Sequence, residues 1–243
     1  MAEKLWIFGD SYADPDCDYD TEQFVTWPKQ LAKKYNVKNF ATGGTGPQWS
    51  FEKFINERDR LCTSNSKNAI KKQTSVLFLL SAYMRLPFAF HKHPSMQWSS
   101  TLPDQKKFRE ITHTTKWHYE WLRAFHKFYI MNPDFSHWHK TESMKYVYLL
   151  NELSHEFKKI HVINIFKHSA LDYYPIRKQE NFFLTVEPLA DTELGYEKYK
   201  ERDGFDSRPN HFSEVNHNAM ADAVINWMEN NQQISFEKFQ KNP

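Results

Sequence analysis

Three separated groups of residues in this chain carry the side chains and backbone needed for acyl chemistry. The first is Gly9-Asp10-Ser11, where the apolar run Leu5-Trp6-Ile7-Phe8 stops in a sharp turn. A serine at the carboxyl end of the first strand of an α/β sheet stands where such folds build their sites. Its hydroxyl is a weak nucleophile until a base takes the proton. The second group supplies such a base: His211 follows the polar loop Asp203-Gly204-Phe205-Asp206-Ser207-Arg208-Pro209-Asn210 and precedes a helical pattern that opens at Ser213. That pattern continues through Ala219, Ala223, Val224 and Trp227. The third group is Thr42-Gly43-Gly44-Thr45-Gly46, a loop whose backbone N–H groups could hold a developing oxyanion. Neither GxxxxGK[ST] nor GxGxxG is present, so this loop does not read as a nucleotide cradle.

Taken in chain order, the groups resemble the SGNH (GDSL-like) hydrolase family. The matching residues are Gly9-Asp10-Ser11, then Asn39 and Gly44, then His211 before the last helix. The resemblance implies a serine esterase working through an acyl-enzyme, with Ser11 as nucleophile and His211 as base. It further implies an oxyanion hole built from the backbone N–H groups of Ser11 and Gly44. The chain departs from the family at two places. After the third strand the family shows Gly-x-Asn-Asp, whereas this chain has Ser81-Ala82-Tyr83-Met84, placing Tyr83 where the third oxyanion donor is expected. Three residues before the histidine the family has aspartate, and here that position is Arg208. Asp206 is the acid assigned to orient His211, with Asp203 as its rival. Asp10, Arg85 and Asn210 are the remaining candidates for contact with substrate.

These residues need a scaffold that brings both ends of the chain together. Short, branched or aromatic runs predict strands at 4–9, 37–41, 75–81 and 160–166. Helical spacing predicts helices at about 22–35, 48–60, 141–158 and 213–230. Such alternation points to an α/β fold with a parallel sheet and helices on both faces. The resemblance sharpens this to a three-layer α/β/α sandwich of flavodoxin-like, SGNH hydrolase type. The 243 residues fit one domain, 1–243, with a helical insertion after the third strand at about 86–140. Within it Phe108, Ile111, Thr115, His118, Leu122, Phe125 and Tyr129 form one helical face, flanked by Trp117, Trp121 and Phe128. That face either covers the sheet or caps the active-site edge with aromatic walls. Aromatic residues make up 16% of the chain, and sugar rings stack well on them, so an acylated carbohydrate is the substrate this composition suits.

Composition excludes several other classes. A net charge of +2 is too balanced to argue for nucleic acid. No run of about 18 apolar residues is available to cross a membrane, and Met1-Ala2-Glu3-Lys4 leads straight into a strand without a secretory apolar segment. Cys17 and Cys62 read as free thiols of a reducing compartment, so a cytoplasmic protein is expected. His91-x-His93 and His137-x-His139 could each supply two ligands, but neither has a nearby cysteine, so neither a metal nor any other cofactor is expected. Two other functions share this layout: a catalytically impaired module that binds carbohydrate, and a sugar acyltransferase using the same serine.

Overall fold

The computed structural model describes residues 2–16, 25–43, 45–61, 71–80, 85–86, 96–97, 144–164, 179–185, 212 and 214–234. Its centre is a five-stranded, all-parallel sheet. The strands are β1 (Lys4–Phe8), β2 (Asn36–Asn39), β3 (Thr74–Leu80), β6 (Lys159–Asn164) and β7 (Phe182–Leu184). They lie in the order β2-β1-β3-β6-β7. A separate antiparallel pair joins β4 (Arg85–Leu86) to β5 (Met96–Gln97). β3 is buried along its whole length, as expected for a parallel strand covered on both faces.

Alternate side chains along the strands enter two apolar clusters. Leu5, Ile7, Leu77, Leu79 and Ile163 join Trp27 and Leu31 of α1 (Trp27–Leu31). The same cluster takes Met220, Val224 and Trp227 from the C-terminal helix, α4 (Glu214–Asn230). On the opposite face Trp6, Phe8, Val76, Phe78 and Leu80 pack with Phe54 of α2 (Pro47–Arg60). Met144, Val147 and Leu150 of α3 (144–153) complete that side. The chain travels from β1 to β2 in one direction and from β2 past β1 to β3 in the other. Right-handed crossovers then place α1 and α2 on opposite faces, which is how the two clusters divide them. Phe8 stacks on Phe40 at 5.0 Å between ring centroids and meets Phe54 edge-on at 5.5 Å. Fully burying each such ring contributes roughly 1.5–3 kcal/mol.

The observed elements correct some sequence-based boundaries. α1 spans only Trp27–Leu31 where a helix over 22–35 was expected. Pro28 lies in its first turn, a place where the missing N–H costs nothing, and the chain turns at 32–34 into β2. The helix at 48–60 is found as Pro47–Arg60, started by Gly46 and Pro47. α3 gives way to a 3₁₀ turn at Ser154–Glu156 rather than continuing to 158. Its carboxylate Glu156 holds Arg58 through two bonds (2.9 and 2.5 Å) and Lys71 at 2.8 Å. This ties the end of α2 to the turn before β6. β7 was not anticipated; at three residues it is too short to show a period. The expected insertion helix lies outside the described residues. Among the described residues, no helix is long and apolar enough to cross a membrane.

Candidate active site

The strand order reverses between β1 and β3, because the chain leaves β1 toward one neighbour and returns to the other. Open α/β sheets bind ligands at the carboxyl ends of the strands at such a point. Ser11 stands there, three residues beyond the end of β1.

The turn that carries it is a single helical turn capped by Asp10. The Asp10 carbonyl accepts from the N–H groups of Ala13 (3.0 Å) and Asp14 (2.9 Å). Its side-chain Oδ1 accepts from Tyr12 N–H at 3.1 Å. This is the bonding of a helix N-cap. It leaves the N–H of Ser11 with no partner among the described residues. Ser11 itself is 6% exposed, and no bond to its hydroxyl is made by any described residue. Asp10, a candidate substrate contact from sequence, is wholly buried and shapes this turn.

The glycine-rich loop is fastened over the same turn. The Gly9 carbonyl accepts from Thr42 N–H (3.2 Å), the Ser50 hydroxyl (3.2 Å) and the Thr45 hydroxyl (3.4 Å). Asn39 donates from Nδ2 to the Ala13 carbonyl at 2.8 Å and accepts from Ala41 N–H at 2.8 Å. The Asp14 carboxylate accepts from Gly43 N–H at 2.8 Å, so that N–H is already used. Gly9 is required by space: a Cβ there would stand 2.9 Å from Leu79 Cβ and 3.1 Å from Ala13 Cβ.

The last helix reaches the turn from the other side. Phe212, the residue after His211, is buried and meets the ring of Tyr12, the residue after Ser11, edge-on at 5.4 Å. Phe212 also contacts the His217 ring at 5.4 Å. His217 is buried and accepts the Trp27 backbone N–H at its Nδ1, 3.1 Å away. Trp27 donates its indole N–H to the Tyr12 carbonyl at 2.7 Å.

Of the residues chosen from sequence, Asp10 and Asn39 thus belong to one hydrogen-bonded unit, and Ser11 is carried on its turn. Gly44, Tyr83, Asp203, Asp206, Asn210 and His211 lie outside the described residues, as do Cys17, Cys62 and the paired histidines at 91, 93, 137 and 139. Arg85 begins β4. Among the described residues, no group of three or more histidine, cysteine or acidic side chains could hold a metal ion. Asp14, Thr45 and Ser50 were not anticipated as builders of the site. Their partners lie 3 to 41 residues away, so only the fold brings most of them together. Compared with known proteins, the chain matches no family model and no curated protein.

Proposed function

We propose that this protein is a serine ester hydrolase with the three-layer architecture of the SGNH (GDSL-like) type, acting on a small acyl ester such as an acylated carbohydrate. The observation that supports this reading is the Tyr12–Phe212 contact, which packs the neighbour of Ser11 against the neighbour of His211. Ser11 attacks the ester carbonyl while His211 takes its proton. His211 then returns the proton to the leaving alcohol, and water releases the acyl group by the same steps in reverse. Asp206 orients the imidazole and faces the charge it gains. The oxyanion is held by the N–H groups of Ser11 and Gly44, each worth roughly 3–4 kcal/mol when well placed, with the Tyr83 hydroxyl as third donor. The reading requires no cofactor, nucleic acid or membrane, and its setting is cytoplasmic. The departures at Tyr83 and Arg208 favour, as second reading, an impaired module that keeps the fold and binds carbohydrate.

The test is labelling with a fluorophosphonate probe followed by mass spectrometry. Adduct on Ser11 is expected, and Ser11→Ala should abolish hydrolysis of p-nitrophenyl acetate without changing the melting temperature. Wild-type turnover by the Ser11→Ala variant overturns the serine mechanism. Carbohydrate binding without any adduct or turnover establishes the second reading.

A further inference from the structure

Asn164 ends β6 at the same carboxyl edge of the sheet, and its amide is half used. Its backbone N–H donates to the Thr185 hydroxyl at 2.9 Å, and Nδ2 donates to the Thr185 carbonyl at 3.4 Å. Both bonds run to the residue just past β7: the first holds the backbone, and the second engages Nδ2, leaving Oδ1 on the other arm of the amide. Asn164 is 2% exposed, yet Oδ1 has no hydrogen-bond partner among the described residues. A buried acceptor without a donor is a cost that folding does not recover. An asparagine held at this point by two bonds therefore calls for a donor that the described residues do not supply.

The register says how far this acceptor lies from the serine. Asn164 pairs with Leu80 on β3, and the row one pleat earlier runs through Val162, Phe78 and Phe8. Continuing the Asn164–Leu80 row across the sheet reaches the level of Asp10, next to Ser11. Two strand spacings separate β6 from β1, about 10 Å. A small molecule with its ester at Ser11 and a hydroxyl several bonds from the carbonyl spans that distance.

We propose that Asn164 Oδ1 accepts a hydrogen bond from a hydroxyl group of the substrate, making Asn164 a specificity residue for hydroxyl-bearing esters. The assignment rests on the esterase reading above and narrows its substrate class to polyhydroxylated compounds carrying few acyl groups. The amide is neutral, so it selects a neutral donor, whereas a cationic substrate would be better served by a carboxylate. Thr185 acts as the positioning residue that holds the amide still.

The experiment compares kcat/KM for p-nitrophenyl acetate, which has no hydroxyl, with that for monoacetylated methyl glucosides. In Asn164→Leu, turnover of the glucoside esters should fall tenfold or more while that of p-nitrophenyl acetate stays within twofold. In Thr185→Val, which keeps the carbonyl bonded to Nδ2 but takes the acceptor from the Asn164 backbone N–H and so unfastens the end of β6, KM for the glucoside esters should rise with kcat unchanged. This second variant decides the matter if Asn164→Leu does not fold. Equal losses on both esters in either folded variant, or no loss on the glucosides, overturn the assignment while leaving the esterase reading intact. A wild-type protein that hydrolyses neither ester overturns the esterase reading, and the assignment falls with it.

Discussion

The backbone N–H of Trp27 is held by Nδ1 of His217, 190 residues further along the chain. A helix N-terminus leaves its first N–H groups without intrahelical partners, and here a side chain from α4 satisfies one of them. Because the Trp27 indole also donates to the Tyr12 carbonyl, the bond reaches the serine turn through one intermediate residue. Three segments distant in sequence are thereby joined at the carboxyl edge: the turn after β1, the start of α1 and the start of α4.

His217 is accordingly a structural histidine, and His211 and His217 should separate cleanly on mutation. His217→Ala removes the acceptor for a buried N–H and opens a cavity beside Phe212, with an expected loss of about 2–4 kcal/mol in stability. His211→Ala should leave the melting temperature unchanged and abolish ester hydrolysis. Thermal denaturation and p-nitrophenyl acetate turnover, measured on both variants, check this. A stable but inactive His217→Ala would transfer the role of base to His217.

Gly9→Ala probes how tightly the serine turn is seated. The added methyl meets Leu79 Cβ and Ala13 Cβ at separations well inside ordinary contact. Neither neighbour can swing away, since both are first side-chain atoms fixed to backbone. Overpacking of this kind costs typically 1–3 kcal/mol, and here relief comes only by moving the turn. Stability and turnover should therefore fall together, with esterase activity reduced at least tenfold. A variant that melts lower but keeps full activity would show that the turn tolerates displacement.

The strands were legible because each is a short apolar run with a polar boundary: Leu5–Phe8 and Val76–Leu80 announce themselves in the sequence. β7 was not, because Phe182–Leu184 is too short to carry a period and owes its pairing to Ile160 and Val162. The late start of α1 was written in Pro28, but the helical spacing around it outweighed that signal. At the site, Gly9-Asp10-Ser11 and Asn39 could be picked out by residue type. What those residues do could not. That Asp10 caps the serine turn is visible only in its bond to Tyr12 N–H. The fastening of Gly43 by Asp14 depends on two loops meeting, which no local pattern encodes.

Asn39 gives a more selective probe than Gly9, because its amide serves two loops at once. Replacement by alanine leaves the Ala13 carbonyl and the Ala41 N–H without these bonds, a loss of about 1–2 kcal/mol in total given their partial exposure. Asn39→Asp keeps the acceptor for Ala41 but sets a carboxylate oxygen against the Ala13 carbonyl. It should therefore be no more active than Asn39→Ala, although it preserves half of the bonding. Chemical denaturation and kcat on p-nitrophenyl acetate test this, and an aspartate variant with wild-type kcat would dissociate the Ala13 bond from catalysis.

Acid stability should be governed in part by His161, a residue remote from the site. It is wholly buried on β6, stacked on Phe183 at 4.7 Å and edge-on to Trp227 at 4.7 Å, and neither ring nitrogen has a hydrogen-bond partner among the described residues. Burial, with the nearby Lys159 ammonium as a lesser cause, pushes its pKa down to about 3. In the unfolded chain the imidazole titrates near 6.5. Between those values the unfolded state takes up a proton that the folded state refuses, so the stability present above about pH 6.5 is lost as the pH falls. For this one group the slope approaches about 1.4 kcal/mol per pH unit. A second loss begins lower. Burial alone would raise the Glu156 pKa, but hydrogen bonds and charges from Arg58 and Lys71 outweigh it and bring it to about 2, so its contribution fades below about 4.5. The two windows can be told apart with His161→Phe, which keeps the aromatic packing and removes the titration. Urea denaturation at pH 7, 6 and 5 should show wild type losing on the order of 2 kcal/mol more than the variant across that range. Identical pH profiles for the two proteins would mean that His161 takes its proton in the folded state as readily as in the unfolded one, through an opening of the β6–α4 packing that the static structure does not contain.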